Sequence, residues 1–246
     1  MITLAFDSTA KIASVAVADG EKTLALYSID NGLTHSELLL PMAEDALRAL
    51  RLTYGDVGLL ACSVGPGSFT GVRIGAALVK GIAFGRQIPC APVSTLEALA
   101  ENARGLRGLI VPVMDARRDQ FYAALFRTDG GGLLRLSPDA ALSSDELAAL
   151  LRAHAGEPVY LVGDGYEAAA SALAARGITA EDTPLPLRDE NAASVARVGY
   201  RMFLAGQCVA DRDLFPTYLR MPQAERERLE RLQAAAAPDS AENNEK

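Results

Sequence analysis

Two aspartates, each closing a short apolar run, mark where this sequence could do chemistry. Asp7-Ser8-Thr9 follows Ile2 to Phe6, and Asp115-Ala116-Arg117-Arg118 follows Leu109 to Met114. A carboxylate and two hydroxyls at a strand end suit a hydrated metal and phosphate oxygens. The same residues more often cap their own turn, and that use is favoured for Asp7. Asp7, Asp115 and Arg117 are the candidate nucleotide-binding residues. The second turn is a poor phosphate cradle, because Arg117 and Arg118 supply cations but their bulk keeps a phosphate from the backbone.

A second candidate is the stretch Gly65-Pro66-Gly67-Ser68-Phe69-Thr70-Gly71-Val72-Arg73-Ile74-Gly75, which joins a buried strand, Val57 to Val64, to a helix expected over Phe69 to Phe84. Glycine-rich turns before helices hold phosphates. The spacing fits neither familiar form. A Walker loop ends in Gly-Lys-Ser/Thr, whereas Gly71 precedes Val72 and Arg73; the dinucleotide fingerprint needs glycine where Thr70 stands. Nor is it a nucleophile elbow, since Ser68 has Pro66 and Thr70 two places away. The two histidines, His35 and His154, have no Cys or carboxylate at ligand spacing, so no metal site is expected. His35 reads as a packed or helix-start residue. Cys62, Cys90 and Cys208 are far apart in apolar surroundings and read as reduced core residues of a cytoplasmic protein.

The helices beside these turns carry more apolar surface than one core needs. In the glycine helix, capped by Ser68 or Thr70 and ended at Gly85, only Arg73 and Lys80 are charged. Gly71, Gly75 and Gly81 each cost about 1 kcal/mol in helix propensity relative to Ala. Gly71 and Gly75 share a face with Leu78, Val79 and Ile82, so that another backbone can approach, either from the same domain or from a second chain. An earlier helix opens at a capping-box pattern, Thr34 to Glu37, and runs to about Leu52 with a bend expected at Pro41. Its apolar positions cover an arc of roughly 200°, where one core needs little more than 100°.

Half of the 246 residues are hydrophobic, which allows a large core, and the net charge of -7 argues against this chain alone tracking a nucleic-acid backbone. No run approaches the ~18 apolar residues of a membrane span, and no basic leader precedes the first apolar run, so a soluble, unexported protein is expected. In order, the chain reads as strands Ile2 to Phe6, Ser14 to Ala18 and Thr23 to Ile29, the two helices about the strand Val57 to Val64, a strand Ile88 to Val93, and a helix to Ala103. A boundary is expected at Arg104 to Gly108. A second round follows: Leu109 to Met114, the return strand Gln120 to Arg127, a strand near Leu133 to Leu136, a helix Ser144 to His154, a strand Val159 to Val162, and helices to Arg176 and from Asn191 to Ala205. The expected units are an N-terminal α/β lobe over 1–105, a second over 106–222 whose last helix packs back on the first, and a charged tail over 223–246. Within the tail a weak helix is expected over Glu225 to Ala237, followed by disorder.

Together, Asp7-Ser8-Thr9, His35-Ser36-Glu37-Leu38-Leu39, the Gly65 to Gly75 stretch, Asp115-Ala116-Arg117-Arg118 and Phe215-Pro216-Thr217-Tyr218-Leu219-Arg220 resemble the TsaB family, over nearly the whole chain to about Arg220. The resemblance implies the two-lobed α/β fold of the actin-like ATPase superfold and a subunit of the bacterial machinery that makes threonylcarbamoyladenosine beside the tRNA anticodon. It implies a non-catalytic relative of the transferase TsaD, without that protein's metal-ligand histidines. The implied partners are TsaD, the ATPase TsaE, a second copy of the chain, and tRNA only within the complex. No cofactor is implied, a nucleotide at the interface with TsaD being left open. The family pairs through its first two long helices, here carrying His35, Leu38, Leu39, Met42 and Ala46, then Gly71, Ile74, Gly75, Leu78 and Gly81. One departure is Asp119-Gln120-Phe121, where the family commonly has Gly-Glu-Val. The rival reading is a small actin-like ATPase or phosphotransferase using Asp7 and Asp115, and protease chemistry is a weaker third.

Overall fold

The structure, a computed structural model, describes residues 1–117 and 119–220. Arg118, the expected helix Glu225 to Ala237 and the rest of the tail lie outside the described residues. The chain starts with an antiparallel meander, β1 (Ile2–Asp7), β2 (Ala13–Asp19) and β3 (Lys22–Ile29). After α1 (His35–Ala49), β4 (Val57–Gly65) lies parallel to β1; after α2 (Phe69–Ala83), β5 (Cys90–Ser94) lies parallel to β4. The sheet order is β3-β2-β1-β4-β5. β1 and β4 are near-continuous apolar runs because helices cover both faces, whereas the edge strand β3 alternates between exposed and half-buried positions.

Helix α3 (Thr95–Asn102) leads to β6 (Arg107–Asp115), β7 (Gln120–Ala123), β8 (Phe126–Asp129), β9 (Leu133–Arg135) and β10 (Ala140–Ser143). Then come α4 (Ser144–Arg152), β11 (Val159–Val162), α5 (Tyr166–Ala174) and α6 (Ala192–Leu204). With Val113 opposite Ala123 and Ile110 opposite Phe126, β7 and β8 keep one antiparallel register on β6, as two pieces of one return strand. The break falls at Ala124 and Leu125, where the Leu125 amide donates to the Ser137 hydroxyl instead of a ladder carbonyl. β9 and β10 pair with those two pieces, and β11 runs parallel to β6. Meander, helix, parallel strand and helix thus occur twice, which is the duplicated plan of the actin-like ATPase superfold.

The third helix of each half covers the other half's sheet. Leu96, Leu99 and Ala103, in and just after α3, pack with Ile110, Met114 and Phe126 of the second sheet. Ala192, Ala196 and Val198 of α6 pack on Ala5, Ala61 and Ala91 of the first, small residues on both sides letting the helix lie close. Where these helices cross, the buried Glu101 carboxylate accepts from Arg201 at 2.6 Å and meets Arg197 at 3.4 Å.

Several local expectations are corrected. Thr34 precedes α1 but its side chain caps nothing; the Glu37 amide donates to the Thr34 carbonyl at 3.0 Å, so there is no capping box. The helix ends at Ala49 rather than Leu52, with Arg51 at φ 57°. β5 begins at Cys90 rather than Ile88, Arg107 and Gly108 belong to β6 rather than to a linker, and β10 went unread because Ala-Ala-Leu-Ser carries no β-branched or aromatic residue. Ser68 caps α2, its hydroxyl accepting from the Gly71 amide at 3.2 Å, and Gly85 follows at φ 72°. Among the described residues no helix is long and apolar enough to cross a membrane.

Candidate functional site

The end of β1 is a closed knot of hydrogen bonds. Asp7 Oδ1 accepts from the Thr9 amide at 3.0 Å and hydroxyl at 2.7 Å, and Oδ2 accepts from the Ser63 hydroxyl at 2.6 Å. The carboxylate is buried and does not line the cleft between the lobes. Its favoured role as a turn cap is what the geometry supports.

The turn that Asp7 holds lies across the start of α2. The Ser68 amide donates to the Thr9 carbonyl at 2.7 Å, and the Ser8 hydroxyl donates to the Gly71 carbonyl at 2.9 Å. A β-carbon on Gly71 would overlap the Ser8 carbonyl oxygen, and one on Gly75 would lie 2.7 Å from Ser8 Oγ. The backbone that approaches these glycines therefore belongs to the same lobe. In the single chain Leu39, Met42 and Ala46 are likewise buried in the first lobe's core. His35 sits half-buried at the start of α1, its Nε2 3.2 Å from the Lys11 carbonyl.

With Met42, Ala46, Gly71 and Gly75 turned inward, the outer face of the helix pair is apolar. Leu39, Leu40, Ile74, Ala77 and Leu78 line a groove of about 270 Å³ with Ser36. Leu38, Ile74 and Leu78 are half-buried, Gly81 is exposed with nothing near its would-be β-carbon, Leu40 is 40% exposed and Phe84 80%. Leu40, Ala77 and Phe84 were missed by the sequence reading. Setting Gly71 and Gly75 inward on the helical wheel would have found Ala77 and Phe84.

Between the lobes lies a cleft of about 730 Å³. Asp115 and Arg117 line it, with Lys11, Asp164, Tyr218 and Arg220 that sequence reasoning did not single out. Asp115 Oδ1 accepts from the Arg117 amide at 2.6 Å, and Asp164 Oδ1 accepts from the Asp115 amide at 3.2 Å. Arg117 and Asp119 have φ of 61° and 55°, a left-handed turn in which the family's glycine at 119 would be at ease. The segment Thr217 to Arg220 walls the cleft: the Thr217 amide donates to the Val64 carbonyl at 2.7 Å, and Arg220 donates to the Ala116 carbonyl across the lobes.

Below the cleft, Glu190 is buried and its Oε1 has no hydrogen-bond partner among the described residues. Burial first, then the charges of Asp7 and Asp164, push its carboxyl well above the usual glutamate value of 4.5. The folded state thus binds this proton more tightly than the unfolded chain. The associated stability is fully present below about pH 4.5 and is lost as pH rises through the folded value. Glu190→Gln is expected to raise the melting temperature relative to the parent at about pH 8 and to narrow that gap at about pH 5, read by thermal melts across the range. A constant difference at all pH values would contradict this.

Comparison with known proteins gives a consistent family. A family model for TsaD, tRNA N6-adenosine threonylcarbamoyltransferase, matches residues 32–200. The tRNA threonylcarbamoyladenosine biosynthesis proteins TsaB of Escherichia coli and Haemophilus influenzae are 30% and 31% identical, each match covering 88% of this chain and 94% and 92% of the relative. The Bacillus subtilis TsaB is 36% identical over 56% of this chain, a match spanning 61% of that relative. A crystal structure from Pseudomonas aeruginosa, described as similar to peptidase YeaZ, superposes with a TM-score of 0.76 at 26% identity, covering 89% of this chain and 99% of that one. Sequence similarity over most of the chain, the duplicated fold and the inward-facing glycine motif meet in one conclusion: the chain belongs to the TsaB family.

Proposed function

We propose that this protein acts in the formation of threonylcarbamoyladenosine in tRNA as a non-catalytic subunit that pairs with TsaD and works with TsaE in the cytoplasm. The observation that carries the pairing is the apolar groove between α1 and α2, which one lobe leaves unfilled. Alone, the chain closes this face with a second copy by two-fold symmetry; with TsaD present, equivalent helices of that subunit replace the copy, and folded tRNA is engaged only in the complex.

The absence of independent catalysis rests on Asp7. Its two oxygens are engaged by Thr9 and Ser63 inside the core, so it offers no ligand to magnesium or phosphate. Purified alone with ATP and magnesium, the protein should show no turnover above background. Mixed with TsaD of the same organism, it should sediment as a heterodimer and, with TsaE and the threonylcarbamoyl donor, support modification of the adenosine N6 beside the anticodon. Robust hydrolysis by the isolated chain, abolished by Asp7→Asn in a folded variant, would replace this reading by the ATPase.

A further inference from the structure

The interlobe cleft collects positive charge in a chain whose net charge is -7. Lys11 from the first lobe, Arg117 from the second and Arg220 from the closing segment all line it, against the carboxylates Asp115 and Asp164. Both carboxylates also serve backbone amides, Asp115 that of Arg117 and Asp164 that of Asp115. Among the described residues, neither Lys11 nor Arg117 forms an ion pair within 4.0 Å of a carboxylate.

Beside these cations is an ordered aromatic platform. The rings of Phe69 and Tyr218 are 4.9 Å apart, the Arg73 guanidinium sits 3.7 Å from the Phe69 centroid, and Arg73 Nε donates to the Tyr218 hydroxyl at 2.8 Å. Phe69 and Tyr218 both line the cleft, and Tyr218 is 40% exposed. Aromatic faces held in place next to spread cations are what unpaired nucleotides need, bases stacking and phosphates meeting Lys and Arg. The cations come from three separate segments of the chain, and Asp7, buried and engaged by Thr9 and Ser63, does not line the cleft where a magnesium ion would sit. That geometry suits a strand passing through better than a bound magnesium triphosphate. The volume, about 730 Å³, is within the ~300–1,000 Å³ of small-ligand pockets, so it admits one or two nucleotides and not a folded duplex.

We propose that the cleft walled by Lys11, Arg117, Tyr218 and Arg220 binds a short unpaired segment of RNA, which the proposed tRNA-modification role would supply. The inference rests on that role for the source of the RNA and on the cleft alone for the chemistry.

The test is fluorescence anisotropy of the full-length protein with a labelled, unstructured RNA of about eight nucleotides, inside the ~4–16-nucleotide footprint of single-strand binders. An RNA duplex and ATP with magnesium are the comparison ligands. Expected is binding at ~100 µM or tighter at low salt, weakening about four-fold for each doubling of salt if three phosphates are met, with duplex and ATP at least about ten-fold weaker. The double variant Lys11→Glu, Arg117→Glu should lose about ten-fold or more, with melting unchanged because both side chains are exposed. Ultraviolet cross-linking of the parent protein should map to the peptide containing Tyr218, which tests the site without any variant. No measurable binding, ATP binding as tightly as the oligomer, cross-links elsewhere, or indifference to the double reversal would each overturn the proposal. The double variant should still pair with TsaD, because neither residue lies in the α1/α2 groove. A failure of RNA binding with intact pairing therefore removes this inference alone, while failure of pairing in the parent protein removes the subunit reading.

Discussion

Gly71→Ala should lower the melting temperature by about 6–12 °C, whereas Gly81→Ala in the same helix should raise it by a few degrees. At Gly71 the added methyl would coincide with the Ser8 carbonyl oxygen, a backbone atom in a turn pinned by Asp7 and Thr9, so α2 must move or the turn must break. A forced backbone displacement of this kind costs ~3 kcal/mol or more, and each kcal/mol shifts the midpoint by roughly 2–4 °C in a chain of this size. At Gly81 nothing lies within 4 Å of the new atom, and the residue is exposed in the helix interior, so only the gain in propensity, about 0.8–1 kcal/mol, remains. Thermal melts of the two single variants decide the matter. Equal effects of the same sign would mean that the Ser8 turn is not the neighbour of Gly71 in solution.

That contrast shows where the sequence was legible. The strand-turn-helix at Val57 to Ala83, its Ser68 cap and its left-handed Gly85 follow from local chemistry, since periodicity and capping act within a few residues. The duplication was also readable, because each round opens on a strand closed by an aspartate and continues as a meander. What touches Gly71 was not, because Ser8 lies 63 residues away and glycine spacing reports a close approach without saying whose. The same limit hid the reach of α3 onto the second sheet, a property of non-local packing, although the return of α6 to the first lobe was expected. It also hid the cleft: Lys11, Arg117, Tyr218 and Arg220 come from separate segments and meet only through the fold. The width of the apolar arc of α1 was legible, but how its side chains divide between core and surface was not. Leu39, Met42 and Ala46 face the core, while Leu40, a neighbour by one position, faces out.

That division sharpens the test of pairing. A glutamate at Met42 would report only on folding, because that residue is buried in the lobe itself and does not line the groove. Leu40→Glu and Leu78→Glu instead place a charge in the groove from opposite walls, on side chains that already reach water in the isolated subunit. If the groove is covered in the assembly, the charge must be desolvated without a partner, which costs a few kcal/mol. About 3 kcal/mol corresponds to a loss of roughly two orders of magnitude in affinity, so sedimentation at micromolar concentration should find both variants as monomers and unpaired with TsaD. Leu204→Glu is the control. Leu204 is a leucine 67% exposed at the end of α6, outside the groove, and the same added charge there should change neither pairing nor melting. Reconstituted tRNA modification should fall with the two groove variants and not with the control. Groove variants that melt normally yet still pair with TsaD and sustain modification would place the interface on another face of the molecule.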